Sequence, residues 1–430
     1  MDNKAHRKAV NAWLMYDWAN SAFATTIQAA VFGPFYRSLV TQSGLAGSAA
    51  TAYWAYTNSA ALLIISLLGP FLGALSDYGG HRKRYLAVFA GVGVLATASF
   101  VFIPQGDFLF ASLLFITATI GYACAEIFYD AFLPLICRQS ELDRVSARGY
   151  ALGYVGGGIL LLLNAWWIVS PQSFGMPDRD FAIRATFVSV ALWWAFFSFP
   201  FFAAVPEAPA PDRPPGVGLL TGGFGRLRHT FRSIRRYRQL LLFLAAFWIY
   251  NDGIGTMQKM ATAYGDELGF DLSQMLTALL LAQFMGIPCT LLFGHLARRC
   301  GARPMILAGL FIYCLISVGG YFMHTEAHFY LLALGVGAVQ GGIQALSRSL
   351  YGSMVPKGRS GEFFGFYSTS SRFAGLFGPL IFGLAGQLSG SSRAGIVSLV
   401  IFFAAGGLLL WQVDAEEGAK VARQEDLGYV

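Results

Sequence analysis

Five groups of polar residues stand inside otherwise apolar sequence, and their spacing suggests binding, not bond-making. Asp17, Asn20 and Ser21 lie at i, i+3 and i+4, so on a helix they share one face. Tyr122, Glu126 and Asp130 repeat every four residues and also share a face. Asn251 and Asp252 are followed by Thr256 and Lys259, at i+4 and i+7 from Asp252. Gln344, Ser347 and Tyr351 flank Arg348, and Arg372 stands alone in a later stretch. An arginine fork suits a carboxylate, and a carboxylate suits an ammonium group or a proton. The set therefore has two readings. It is a site for a zwitterion, with Arg348 taking the carboxylate and Asp17 or Glu126 the ammonium or proton; or it is a gate in which Asp17, Glu126 and Arg348 pair with one another. Asp252 binds substrate or proton, or it forms a private pair with Lys259. No nucleophile with an adjacent base stands out, and the six histidines are scattered, so neither an enzyme nor a metal or other cofactor is expected.

The elements that must hold these groups are membrane helices. Residues 38–76, 85–106, 108–125, 149–177, 185–206, 272–297, 304–325, 327–347, 373–392 and 394–413 contain no Asp, Glu, Lys or Arg. Each is about as long as a bilayer crossing requires, roughly 20 residues. A first span from about Trp13 to residue 36 and a seventh from Leu240 to Tyr264 bring the expected number to twelve. The runs are continuous, not alternating, which disfavours a barrel. Charged residues make up 12% of the chain and mean hydropathy is +0.54, whereas a soluble domain carries about 25% charged residues. That excludes an ordinary soluble enzyme, a disordered chain and, despite the net charge of +7, a nucleic-acid binder. The five cysteines fall in or beside apolar stretches without metal spacing and read as small core residues. The pairs Trp166–Trp167 and Trp193–Trp194 read as interfacial belts.

Lys and Arg divide 23 to 4 between the two sides of this arrangement, with Lys259, Arg348 and Arg372 inside spans. That asymmetry places both termini and the central loop in the cytoplasm. The basic N-terminus runs into a span interrupted by Asp17, Asn20 and Ser21 and reads as an uncleaved first helix. Residues 206–238 begin PEAPAPDRPPG and end RLRHTFRSIRRYR: an extended linker, then either a basic amphipathic helix on anionic lipid or a solvated loop. Either side of it the chain repeats. Gly73, Gly80 and Arg82 pair with Gly294, Gly301 and Arg303 at a shift of 221, and Pro134 pairs with Pro356 at 222. Glu126 and Arg348 are also 222 apart. Expected units are a six-helix half over 1–205, a linker over 206–238, a second half over 239–413 and a cytoplasmic tail over 414–430. Gly253 and Gly255 mark a weak point where the seventh helix is expected to break near the midplane.

GALSDYGGHRK (residues 73–83) resembles the loop after the second helix of the major facilitator superfamily, with Gly73, Asp77, Gly80, Arg82 and Lys83 matching and Tyr78 and His81 departing from its basic positions. YDWANSAFATT, YDAFLPLI, SARGYALGYVGGG, YNDGIGT, QALSRSLYGSMVP and EFFGFYSTS are, in this order, similar to blocks of the vacuolar amino-acid effluxer-like branch of that superfamily. The resemblance implies an all-α membrane protein of two pseudo-symmetric six-helix halves, whose first, fourth, seventh and tenth helices line a central cavity. Those helices here carry Asp17; Glu126 and Asp130; Asp252 and Lys259; and Arg348. It implies that the Asp77 loop governs conformation and does not touch substrate. It implies a secondary transporter, proton- or gradient-linked, for a small solute such as an amino acid, in a bacterial inner membrane, without nucleic-acid partners. The competing readings are an amphiphile extruder on the same fold and a transporter-like sensor that binds without translocating.

Overall fold

A computed structural model of the chain describes residues 3–45, 47–207, 218–232, 234–267, 272–373, 377–389 and 391–428. The described residues form helices joined by turns, without strands. The first span is one long helical run: α1 (Asn3–Ala22), a π-helical stretch Phe23–Val31 and α2 (Phe32–Gln42). Spans two to six are α3 (Gly47–Gly79), α4 (Arg82–Ser99), α5 (Phe108–Ile136), α6 (Leu142–Val169) and α7 (Arg179–Ala204). The linker holds α8 (Leu219–Arg232). Spans seven to ten are α9 (Arg238–Glu267), α10 (Leu272–Cys300), α11 (Ala302–Tyr321) and α12 (Glu326–Ser353). The eleventh is described as α13 (Ser360–Phe373) and α14 (Phe377–Ser389), and the twelfth is split into α15 (Ser392–Ser398) and α16 (Val400–Trp411). The tail carries α17 (Ala415–Asp426), capped by Asp414, whose side chain accepts from the Glu416 and Glu417 N–H groups. Ten of these helices are long and apolar enough to cross a bilayer among the described residues; the first and eleventh spans complete the twelve of the fold.

Each half builds its own core. Trp13, Tyr16, Phe23, Phe32, Tyr129 and Trp194 anchor the first, and Phe243, Phe247, Tyr250, Tyr313, Tyr351 and Phe403 the second. Ile127 and Ala131 of α5 belong to the second core and so join the halves. One of the two expected tryptophan belts is corrected. Trp194 is fully buried against Phe23 and Tyr122, and Trp193 stacks on Trp18, because α7 packs these rings inward against α1. Trp166 is exposed, as a belt residue would be.

The repeat is visible in the backbone. Gly80 and Gly301 both adopt positive φ, 64° and 88°, which only glycine enters without strain. After each turn a cation holds the end of the last helix of its own half: Lys83 Nζ donates to Val205 O at 2.7 Å, and Arg303 Nη1 donates to Val413 O. Asp77 and Arg298 occupy equivalent positions, and here the copies diverge, since Asp77 is buried and Arg298 exposed.

The halves meet mainly on the side that carries the linker and both termini: α3 against α13, and α6 against α10 and α12. The tail helix closes the same side. Arg359 forms an ion pair with Glu425 at 3.0 Å, and Tyr237 donates to the same carboxylate. Burial opposes the Arg359 charge, but Glu425 and Tyr237 offset it and hold its pKa above the ordinary arginine value.

Candidate functional site

On the linker side Asp77, at the end of α3, is buried and spends its carboxylate three ways. It accepts from Arg82 Nε at 2.6 Å, from the Gly361 N–H at 3.0 Å and from the Glu362 N–H at 2.8 Å. The two amides are the otherwise orphaned first-turn donors of α13, in the other half, where a negative charge also meets the positive end of the helix dipole. Arg82 adds bonds to the carbonyls of Lys357 and Gly358. Gly73 allows this approach, because a Cβ there would stand 2.1 Å from Gly361 O. Lys83 is not in this latch and serves the α7 end described above.

One layer deeper, Arg348 of α12 reaches into the first half. Nη2 donates to Asp17 Oδ2 at 3.1 Å and to Ser146 O at 3.1 Å, Nη1 to Asp130 Oδ1 at 3.1 Å, and Nε to Ser146 Oγ at 2.9 Å. The guanidinium also lies 4.4 Å from the Tyr150 ring centroid and 4.9 Å from that of Trp13, in cation–π range. A charge this buried is tolerated because every face of it is met. Gly149 makes the room: a Cβ there would stand 2.3 Å from Asp17 Oδ2.

One helical turn further in on α5, about 6 Å, sits Glu126. It pairs with Arg372 of α13 at 2.9 Å and accepts from Tyr122 Oη at 2.8 Å. This corrects the expected gate. Arg348 pairs with Asp17 and Asp130, not with Glu126, because Asp130 is the member of the four-residue series level with Arg348. Glu126, one turn away, meets Arg372. The Glu126 side chain is 33% exposed, against 3% for Arg348. The Glu126–Arg372 pair is thus the more open of the two and lies one turn beyond the Arg348 cluster. Arg372 Nε has no hydrogen-bond partner among the described residues.

The second half contributes amides. Gln344 Nε2 donates to Asn251 Oδ1 at 2.6 Å, and Asn251 Nδ2 donates to the carbonyl of Ser371, next to Arg372, at 3.3 Å. Asp252 is buried and accepts from the Phe377 and Gly378 N–H groups at 3.1 and 3.0 Å, so it caps α14 as Asp77 caps α13. The expected break in the seventh helix is absent: α9 runs through Gly253 and Gly255. Gly253 instead fits α9 closely against Phe402 and Phe403. Lys259 is exposed on α9, and Asn20 is buried on α1. Ser146 and Gly149 do not stand out by spacing. Both lie in the block SARGYALGYVGGG, whose small residues were the available signal.

The fold and this charge arrangement can be set beside known proteins. Residues 46–423 match the model of the family described as "Vacuole effluxer Atg22 like". The chain belongs to this Atg22-like family. The "Uncharacterized MFS-type transporter YxiO" of Bacillus subtilis is 38% identical over 98% of this chain and 99% of its own. "Autophagy-related protein 22" of Coccidioides immitis is 23% identical over 86% of this chain and 73% of its own. Among solved structures, the proton:xylose symporter XylE superposes with a TM-score of 0.72 at 14% identity, covering 98% of each chain. A bacterial homologue of the iron transporter ferroportin, in an outward-facing state, gives 0.67 at 14% identity over 95% of this chain and 98% of its own. These structures share the major facilitator fold. The Atg22-like chain is thus an integral, multi-pass membrane transporter of two six-helix halves, from a family of transporters and not of enzymes.

Proposed function

We propose that this transporter carries an amino acid or a zwitterion of similar size by alternating access, coupled to protons through Glu126. The observation that carries the reading is the part-exposed Glu126–Arg372 pair above the sealed Arg348 cluster. It offers a carboxylate for an ammonium group and an arginine, with one N–H unpartnered among the described residues, for a carboxylate. Asn251 and Gln344 supply neutral hydrogen bonds beside them. Asp17, Asp130 and Arg348 act as the gate below this site, and Asp77, Arg82, Gly73 and Gly80 as the latch below the gate. Asp252 positions α14. In this assignment the structure is the state closed on the linker side, and that side faces the cytoplasm of a bacterial inner membrane.

The test is flux of labelled amino acids into proteoliposomes of purified protein, with and without an inward proton gradient. Uptake that rises with the gradient is expected. Gradient-independent uptake keeps the substrate class and removes the proton role of Glu126. No uptake of any amino acid by folded protein overturns the substrate class and favours the amphiphile extruder.

A further inference from the structure

The linker helix α8 has two dissimilar stripes. Gly222, Arg226 and Thr230 follow one another at four-residue intervals. Gly222 and Thr230 are buried, and Arg226 Nη2 donates to Gly358 O at 2.8 Å. Gly222 lies against the Tyr78 ring and Gly223 against Leu75, both on α3. This stripe binds the protein. The neighbouring one, Leu220, Phe224, Arg228 and Arg232, at the same interval, is exposed along its whole length. Leu220 and Phe224 are each 61% exposed.

Two features say what covers the exposed stripe. The first is continuity. Leu63 and Leu67 of α3 are 57% and 71% exposed on a membrane helix, and so face lipid chains. Phe71 is the next residue in that four-residue series, and its ring packs against Phe224 at 4.6 Å. The lipid-facing row of α3 therefore runs on into the apolar end of the α8 stripe. The second is charge. Residues 213–238 hold seven arginines and no acid, and the exposed row passes from Leu220 and Phe224 to Arg228 and Arg232 over three helical turns. Apolar residues level with the lipid chains followed by arginines level with the headgroups is the pattern of an interfacial helix on an anionic surface.

We propose that α8 binds anionic phospholipid, seating Leu220 and Phe224 among the acyl chains and Arg228 and Arg232 on the headgroups. Its other stripe holds Gly358 through Arg226, and Arg359 Nη2 lies 3.0 Å from His229 Nδ1. Gly358 and Arg359 belong to the turn that leads into α13 and that Arg82 also grips. Lipid bound to α8 therefore steadies the linker-side-closed state without touching the substrate pathway.

The experiment is thermal unfolding of the purified full chain in detergent, followed by its tryptophan fluorescence. Phosphatidylglycerol, phosphatidylcholine or inorganic phosphate is added at matched concentration. Phosphatidylglycerol should raise Tm above the phosphatidylcholine value by about 2–4 °C, and phosphate should leave it unchanged. The double variant Arg228→Gln/Arg232→Gln, and separately Phe224→Ser, should match the wild type in phosphatidylcholine and lose most of the phosphatidylglycerol increment. Equal shifts with the two lipids overturn the proposal. So does a shift reproduced by phosphate, and so does a full increment in both variants. The readout does not involve flux, so it stands or falls apart from the transport reading.

Discussion

Arg348 and Arg372 are both membrane arginines of the second half paired with acids of the first, yet they sit in opposite surroundings. Arg348 donates to two carboxylates and to both oxygens of Ser146, lies within cation–π range of three rings and is 3% exposed. Among the described residues Arg372 has the one partner Glu126 and an unpartnered Nε, and it is 16% exposed. A saturated arginine has nothing left with which to bind a solute, and its bonds must break for the halves to part. An unsaturated one can exchange partners without a large penalty. In the proposed reading the first cluster is therefore the gate and the second meets the solute.

The largest effect should come from removing the saturated charge. Arg348→Gln leaves Asp17 and Asp130 facing each other without a counter-ion, and breaking a buried pair costs about 3–5 kcal/mol. Thermal unfolding should show a strongly lowered Tm, and flux should vanish. Arg348→Lys keeps the charge but not the planar fork, so the protein should fold and transport should fall. Wild-type flux in that variant breaks the comparison. A smaller effect should follow from Gly149→Ala. Its added methyl would stand 2.3 Å from Asp17 Oδ2, and overpacking of this kind costs about 1–3 kcal/mol. Flux should drop while Arg372 and Glu126 remain untouched. Unchanged flux would mean that the Asp17–Arg348 geometry is not needed for transport.

Glu126→Gln should act on the solute and not on the fold. Hydrogen bonds to charged groups are worth about 1.5–3 kcal/mol, so KM should rise by at least about tenfold. Tm should barely move, because the Glu126 side chain is 33% exposed. The pH dependence of uptake should flatten if Glu126 carries the proton. A lowered Tm with unchanged KM would move Glu126 into the gate and erase the distinction between the clusters.

How much of this was legible in the sequence follows from the same physics. Charge-free runs reveal the spans, because the bilayer forbids unpaired charge, and the few charges inside them announce themselves as paired. Arg348, Asp17, Asp130 and Glu126 were all visible on those grounds. Their pairing was not. A shift of 222 residues relates Glu126 to Arg348 by descent of the repeat, but contact depends on depth, and one turn of α5 decides it for Asp130. Ser146 and Gly149 escaped notice because a small residue is ambiguous in a membrane helix: close packing, a hydrogen bond and room for an ion cluster leave the same trace. Gly253 and Gly255 misled in the same way, since they looked like a break, yet α9 runs through both and Gly253 serves close packing.

The smallest effect concerns the latch and sharpens the comparison from outside. Asp77 and Arg298 are equivalent positions of the repeat, and only Asp77 is buried against the other half. Its carboxylate meets two amides and the positive end of α13, an arrangement worth about 0.3–1 kcal/mol at a surface and up to about 2 kcal/mol where partly buried. Asp77→Asn keeps the shape and removes the charge, and Arg82 still holds the carbonyls of Lys357 and Gly358. The closed state should therefore weaken only severalfold. Hydrogen–deuterium exchange at Gly361 and Glu362 should speed up by that factor, and Arg298→Gln should leave it unchanged. Equal behaviour of the two variants would mean that the latch is symmetric, and that the Arg348 cluster alone separates the two states.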